Sequence, residues 1–103
     1  MIQVVVKYNG NVIKHLEVSG HANFAENGND IVCAGVSSLL LSNVMYAEKL
    51  DLGVFKTTQN NGHVIINVIQ SDAILNHLLE AIVEGLCLMK EQYPEYIKIK
   101  IWR

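Results

Sequence analysis

The chain has 103 residues, half of them hydrophobic and 17% charged, with a formal net charge of −2. That length suits one domain, residues 1–103, with a modest core, and the composition is too apolar for a disordered chain. The slight acidic excess gives no basic footprint for direct nucleic-acid binding, and no stretch reads as the roughly 18 apolar residues of a membrane span, so neither nucleic acid nor membrane is expected as a partner.

Residues 2–8 are short and β-branched, which suits a strand. They run straight into this pattern with no signal-type segment ahead of it. Asn9 and Gly10 follow, the pair preferred in a two-residue hairpin turn because both positions need positive φ. Residues 12–18 then return antiparallel, and His15 reads as a solvent-side residue in mid-strand. The hairpin delivers the chain to Gly20, so His21 stands just past a strand end, where a rigid scaffold holds it.

Residues 22–29 lack apolar periodicity and read as a loop. Asp30 is a good N-cap for an apolar helix over residues 31–49, which puts Cys33 in the first helical turn. Unpaired N–H groups and aligned peptide dipoles favour an anion there. A free thiol titrates near ~8.5, and a helix start or an adjacent imidazolium can bring it to roughly 3.5–7.5. The loop is long enough to fold back and lay His21 beside Cys33. Two readings of the cysteine follow: a nucleophile served by His21, or a small apolar residue in a core helix.

Asp30 likewise has two readings, as the helix cap or as a third member that orients the His21 ring. Within the loop, Ala22, Asn27 and Gly28 are candidates for a lid over the site. The helix is apolar over most of its circumference, which implies burial on more than one side and a face for a second subunit. Gly35, Ser37, Ser38 and Ser42 are small and allow another backbone close; Ser38 is an improbable nucleophile beside a thiol.

A strand over residues 52–57, an Asn60-Asn61-Gly62 turn and a strand over residues 63–69 form a second hairpin. His63 reads as a surface residue beside that turn, and a zinc site from His21, Cys33 and His63 lacks local ligand pairing. Ser71 can cap a helix from about residue 72 to residue 92, with Ile74 or Leu75, Leu78, Ile82, Leu86 and Met89 in one stripe and Glu80 and Glu84 on the wetter side. Cys87 sits late in that helix with no helix-start dipole to ionise it, so it reads as structural. Two cysteines without CxxC spacing suit reduced thiols in the cytoplasm, with no metal or other cofactor. Pro94 ends the helix, and residues 96–102 alternate as a last strand. The order ββαββαβ fits an α+β two-layer sandwich, a mostly antiparallel five-stranded sheet with both helices packed on one face.

The run Gly20-His21-Ala22, then Gly28, then Asp30-Ile31-Val32-Cys33-Ala34 and Val36-Ser37, resembles the signature of the ribosomal-processing cysteine protease family, called Prp or YsxB-like. The likeness covers essentially the whole chain. It implies a small bacterial cytoplasmic endopeptidase, a homodimer, with His21 and Cys33 as catalytic dyad. Such enzymes remove a short N-terminal extension from large-subunit ribosomal protein number twenty-seven, cutting after paired aromatic residues. In this reading first-turn N–H groups around Cys33 hold the oxyanion, and Leu39, Tyr46 and Phe55 wall the substrate pocket. The alternatives are a non-catalytic ribosome-associated assembly module with an unreactive Cys33, and a small acyl-transfer or deamidating thiol enzyme.

Overall fold

The computed structural model describes residues 1–25 and 30–103. Its elements follow the expected order: β1 (Ile2–Asn9), β2 (Val12–Ser19), α1 (Ile31–Lys49), β3 (Val54–Asn60), β4 (His63–Gln70), α2 (Ala73–Gln92) and β5 (Ile97–Trp102). The strands form one sheet in the order β3-β4-β2-β1-β5. Three of the pairings are antiparallel, and only β1 with β5 is parallel. The fold is α+β, as the element order implied.

Strand alternation sends Val4, Val6, Leu16, Val18, Ile66, Val68 and Ile97 to one face, where they meet Val32, Val36 and Leu40 of α1 and Leu75, Leu79, Ile82 and Leu86 of α2 in one core. Each fully buried leucine or isoleucine contributes about 1.5–3 kcal/mol through removal of its apolar surface from water. Lys7, Asn67, Lys98 and Lys100 alternate onto the opposite, open face.

Several local expectations are corrected. By length and composition α1 is apolar enough to cross a membrane, contrary to the sequence reading. It is instead built into the core along one stripe, Val32, Val36, Leu40, Val44 and Ala47, while Ile31 and Met45 remain exposed. The cap of α2 is Asp72, whose carboxylate accepts from the Leu75 N–H at 2.8 Å; the Ser71 hydroxyl turns to the Asp72 carbonyl. The stripe of α2 resolves to Leu75, with Ile74 exposed. Glu80 is half-buried at the edge of the wetter side: it accepts the Tyr8 hydroxyl, and burial together with that carboxylate pushes the phenol up to about 12. Asn76 joins the same helix to the first hairpin, accepting from the Ile13 N–H at 2.9 Å.

Candidate active site

The site is assembled from the end of β2, the start of β4 and the start of α1. Beyond Ser19 the chain passes Gly20 at φ 89°, and a β-carbon there would lie 2.5 Å from the Met1 carbonyl oxygen. Only glycine permits that approach in that conformation. The Gly20 N–H donates to the Gly62 carbonyl at 2.9 Å, which fastens the strand end to the β3–β4 turn. His21 follows, exposed, with one edge of its ring against Gly62.

Asp30 starts α1 as an N-cap. Its Oδ1 accepts from the Val32 N–H at 3.1 Å and the Cys33 N–H at 3.0 Å, and its Oδ2 from the Phe24 N–H at 3.0 Å. These donors, the Cys33 N–H foremost, hold the carboxyl below the usual carboxylate range. The capping reading is therefore the one the geometry supports; among the described residues no hydrogen bond runs from Asp30 to His21. With the Ala34 N–H bonded to the Asp30 carbonyl at 3.0 Å, the N–H groups of Val32, Cys33 and Ala34 all have partners. Of the donors expected to hold an oxyanion, these three are taken by Asp30, because a well-made cap occupies the donors it satisfies.

The donor that reaches the sulfur is elsewhere. The Ala22 N–H points at Cys33 Sγ from 3.2 Å. Ala22, expected in a lid, is 2% exposed and packs into the core, so it forms part of the bed of the site. Asn27 and Gly28, the other lid residues, lie outside the described residues. Phe24 sets its ring edge-on to Tyr93 and Tyr96, with centroids 5.5 and 5.1 Å away, which anchors the chain just after Ala22.

His21 and Cys33 line one cleft of about 220 Å³, whose apolar side is made by Ile2, Val18, Val36, Leu40, Leu41 and Val64. An adjoining hollow of about 570 Å³ shares His21, Cys33, Ser37 and Asn61 and continues past Asn23 and Asp30. The strand end and the helix start thus converge as the spacing suggested. The expected walls do not. Leu39 faces α2, where a β-carbon on Gly85 would sit 2.5 Å from its Cδ2. Tyr46 is exposed, and Phe55 borders a separate hollow beside Asp51 and Gly53.

His15 and His63 belong to a polar chain on the sheet. Glu17 receives His15 Nε2 at 3.0 Å and His63 Nε2 at 2.7 Å, and those two contacts draw its carboxyl below the usual range. Among the described residues no three His, Cys, Asp or Glu side chains are grouped as metal ligands. Cys87 is half-buried in α2, and burial, with Glu84 adding to it, pushes its thiol up.

A family model described as cysteine protease Prp matches residues 1–98. The chain belongs to the cysteine protease Prp family. The ribosomal processing cysteine protease Prp of Mycoplasma pneumoniae is 29% identical over 85 residues, covering 82% of this chain and 84% of that one. The Staphylococcus aureus Prp is 31% identical over 88 residues, covering 80% of each. Crystal structures of an S. aureus Prp with a covalently linked product peptide and with a substrate peptide superpose with TM-scores of 0.93 and 0.87, at 27% and 26% identity. Each covers 98% of this chain and 99% of the other. The Prp assignment makes the chain a cysteine protease acting on peptides, and the reading as a non-catalytic module falls away.

Phe24 escaped the sequence reading, and so did the parts that Ala22, given to a lid, and Gly62, given to a turn, play at the site. For Phe24 a signal existed, a lone aromatic in a polar run. For Ala22 none did, because the working group is a backbone N–H that every residue but proline carries.

Proposed function

We propose that the protein is an endopeptidase that removes the N-terminal extension of large-subunit ribosomal protein number twenty-seven, cutting after paired aromatic residues. Cys33 is its nucleophile and His21 its acid and base. The observation that carries the dyad is the convergence of a strand end and a helix start on one cleft, with the Ala22 N–H directed at the Cys33 sulfur. The substrate assignment rests on the Prp family and on the peptide-bound S. aureus relatives.

In this reaction the anionic sulfur, steadied by the Ala22 N–H and the start of α1, attacks the scissile carbonyl carbon. The imidazolium of His21 gives its proton to the leaving amine as the C–N bond breaks, leaving a thioester on Cys33. Water then attacks the thioester, His21 takes a proton from it, and the C–S bond breaks to release the acid and restore the thiolate. The apolar side of the cleft suits the aromatic side chains that precede the cut. Exposed Ile31, Met45 and Tyr46 on α1 support a homodimer through that helix, and free thiols support a cytoplasmic setting.

The test is incubation with the unprocessed ribosomal protein and mass spectrometry of the new N-terminus. Wild-type protein is expected to shorten it after the aromatic pair. Cys33→Ala is expected to leave it intact, and His21→Ala to lose about 10²–10⁴-fold in rate, both with native-like circular dichroism. Normal processing by Cys33→Ala would overturn the assignment.

A further inference from the structure

We infer that the Asn61–Gly62 turn is the bed that positions the His21 imidazole, and that Gly62 is a positioning residue for the dyad because it lacks a side chain. The inference rests on the dyad reading above. A β-carbon at Gly62 would lie 2.9 Å from Nε2 of His21, 3.3 Å from Cε1 and 3.6 Å from Cδ2. Those three atoms are one edge of the ring, so the contact is with the imidazole itself.

The turn cannot easily yield. The Gly62 carbonyl holds the Gly20 N–H at 2.9 Å, one residue before His21. Ser19 pairs with His63 across β2 and β4, Asn60 pairs with His63 across the turn, and His63 Nε2 is tied to Glu17 on β2 at 2.7 Å. The Gly62 backbone is held by β2 as well as by its own hairpin, and the edge of the imidazole lies against it. Gly62 thus bounds the imidazole on one side of the cleft it shares with Cys33, and a β-carbon there would push the ring from its place.

The chain carries its own control. Gly10 also follows an asparagine in a hairpin turn, at φ 62° against 72° for Gly62, yet a β-carbon there would meet nothing within 4 Å. The two Asn-Gly pairs look alike in sequence. One only turns the chain; the other also seats a ring. Substituting alanine imposes the same left-handed strain at both positions, and only at Gly62 does it displace the imidazole.

The experiment compares Gly62→Ala, Gly10→Ala and His21→Ala with the wild type, by kinetics on the unprocessed ribosomal protein and by the pH profile of Cys33 alkylation with iodoacetamide. Gly62→Ala is expected to lower kcat about tenfold or more while KM stays within about twofold, since a misplacement near 1 Å can cost 10²-fold. Its alkylation profile is expected to move toward that of His21→Ala. Gly10→Ala, with a similar loss in Tm, is expected to keep the wild-type profile and a kcat within about twofold. If Gly62→Ala does not fold, Gly62→Asn takes its place, because asparagine tolerates positive φ best among residues with a β-carbon. A position-62 variant that keeps the wild-type kcat and profile overturns the inference and leaves the dyad standing, provided His21→Ala is impaired. Equal losses in Gly62→Ala and Gly10→Ala also overturn it, as turn strain alone. An unimpaired His21→Ala removes the dyad reading, and this inference with it.

Discussion

Two half-buried thiols occupy different electrostatic surroundings. Cys33 sits in the first turn of α1 with a backbone N–H on its sulfur, whereas Cys87 lies late in α2, where burial and Glu84 raise its thiol. At neutral pH, iodoacetamide followed by peptide mapping is expected to label Cys33 ahead of Cys87, and Cys87→Ala to leave turnover unchanged. Equal labelling, or an inactive Cys87→Ala with native-like circular dichroism, would contradict that division. Asp30 carries a pH dependence of defined sign. Its native carboxyl is held below the unfolded value, so it stabilises the start of α1 above the usual carboxylate range and ceases to as pH falls through its native value. Thermal melts across that acid range are expected to show a shallower decline for Asp30→Asn than for the wild type. At this scale the meeting of His21 and Cys33 on one cleft was legible because each adjoins a punctuation mark, a strand-ending glycine and a helix-capping aspartate. The Ala22 N–H and the Gly62 bed were not, since a backbone donor and an absent side chain leave no distinctive letter.

Caps and stripes govern the elements. The Asp72 carboxylate, not the Ser71 hydroxyl, takes the Leu75 N–H at the start of α2, so Asp72→Ala is expected to cost about 1 kcal/mol, or about 4–8 °C in Tm, in a domain of this size. Ser71→Ala is expected to stay within about 0.5 kcal/mol, and differential scanning calorimetry of the two variants reads the contrast. Serine and aspartate are both good caps, so adjacency alone could not choose between them. The stripe of α2 was readable to within one position because that helix has a polar side. The facing of α1 was not. A helix apolar nearly all round has no pattern to orient it, so Leu39 was assigned to the cleft when it packs on α2, and Tyr46 when it faces outward. Strand β3 was expected from residue 52 and begins at Val54, because Asp51 and Gly53 both take positive φ in the turn before it.

At the scale of the molecule, the element order and the α+β class followed from turn pairs and periodicities, but the strand order did not. Local alternation says which face of a strand is wet and nothing about its neighbour. That β2 lies beside β4 is a long-range pairing, and it is this pairing that brings Gly20 and His21 onto the Gly62 turn. Glu17 and His63 bridge the same two strands on the sheet, so the site depends on the register of the whole sheet as much as on its own residues. α1 then brings Cys33 to that margin, with its own stripe in the shared core. The strongest check on this arrangement is acid quenching of the enzyme during turnover of the unprocessed ribosomal protein, followed by peptide mapping. The acyl mass is expected on the peptide containing Cys33, and its appearance on another residue would show that the sulfur at the start of α1 is not the nucleophile.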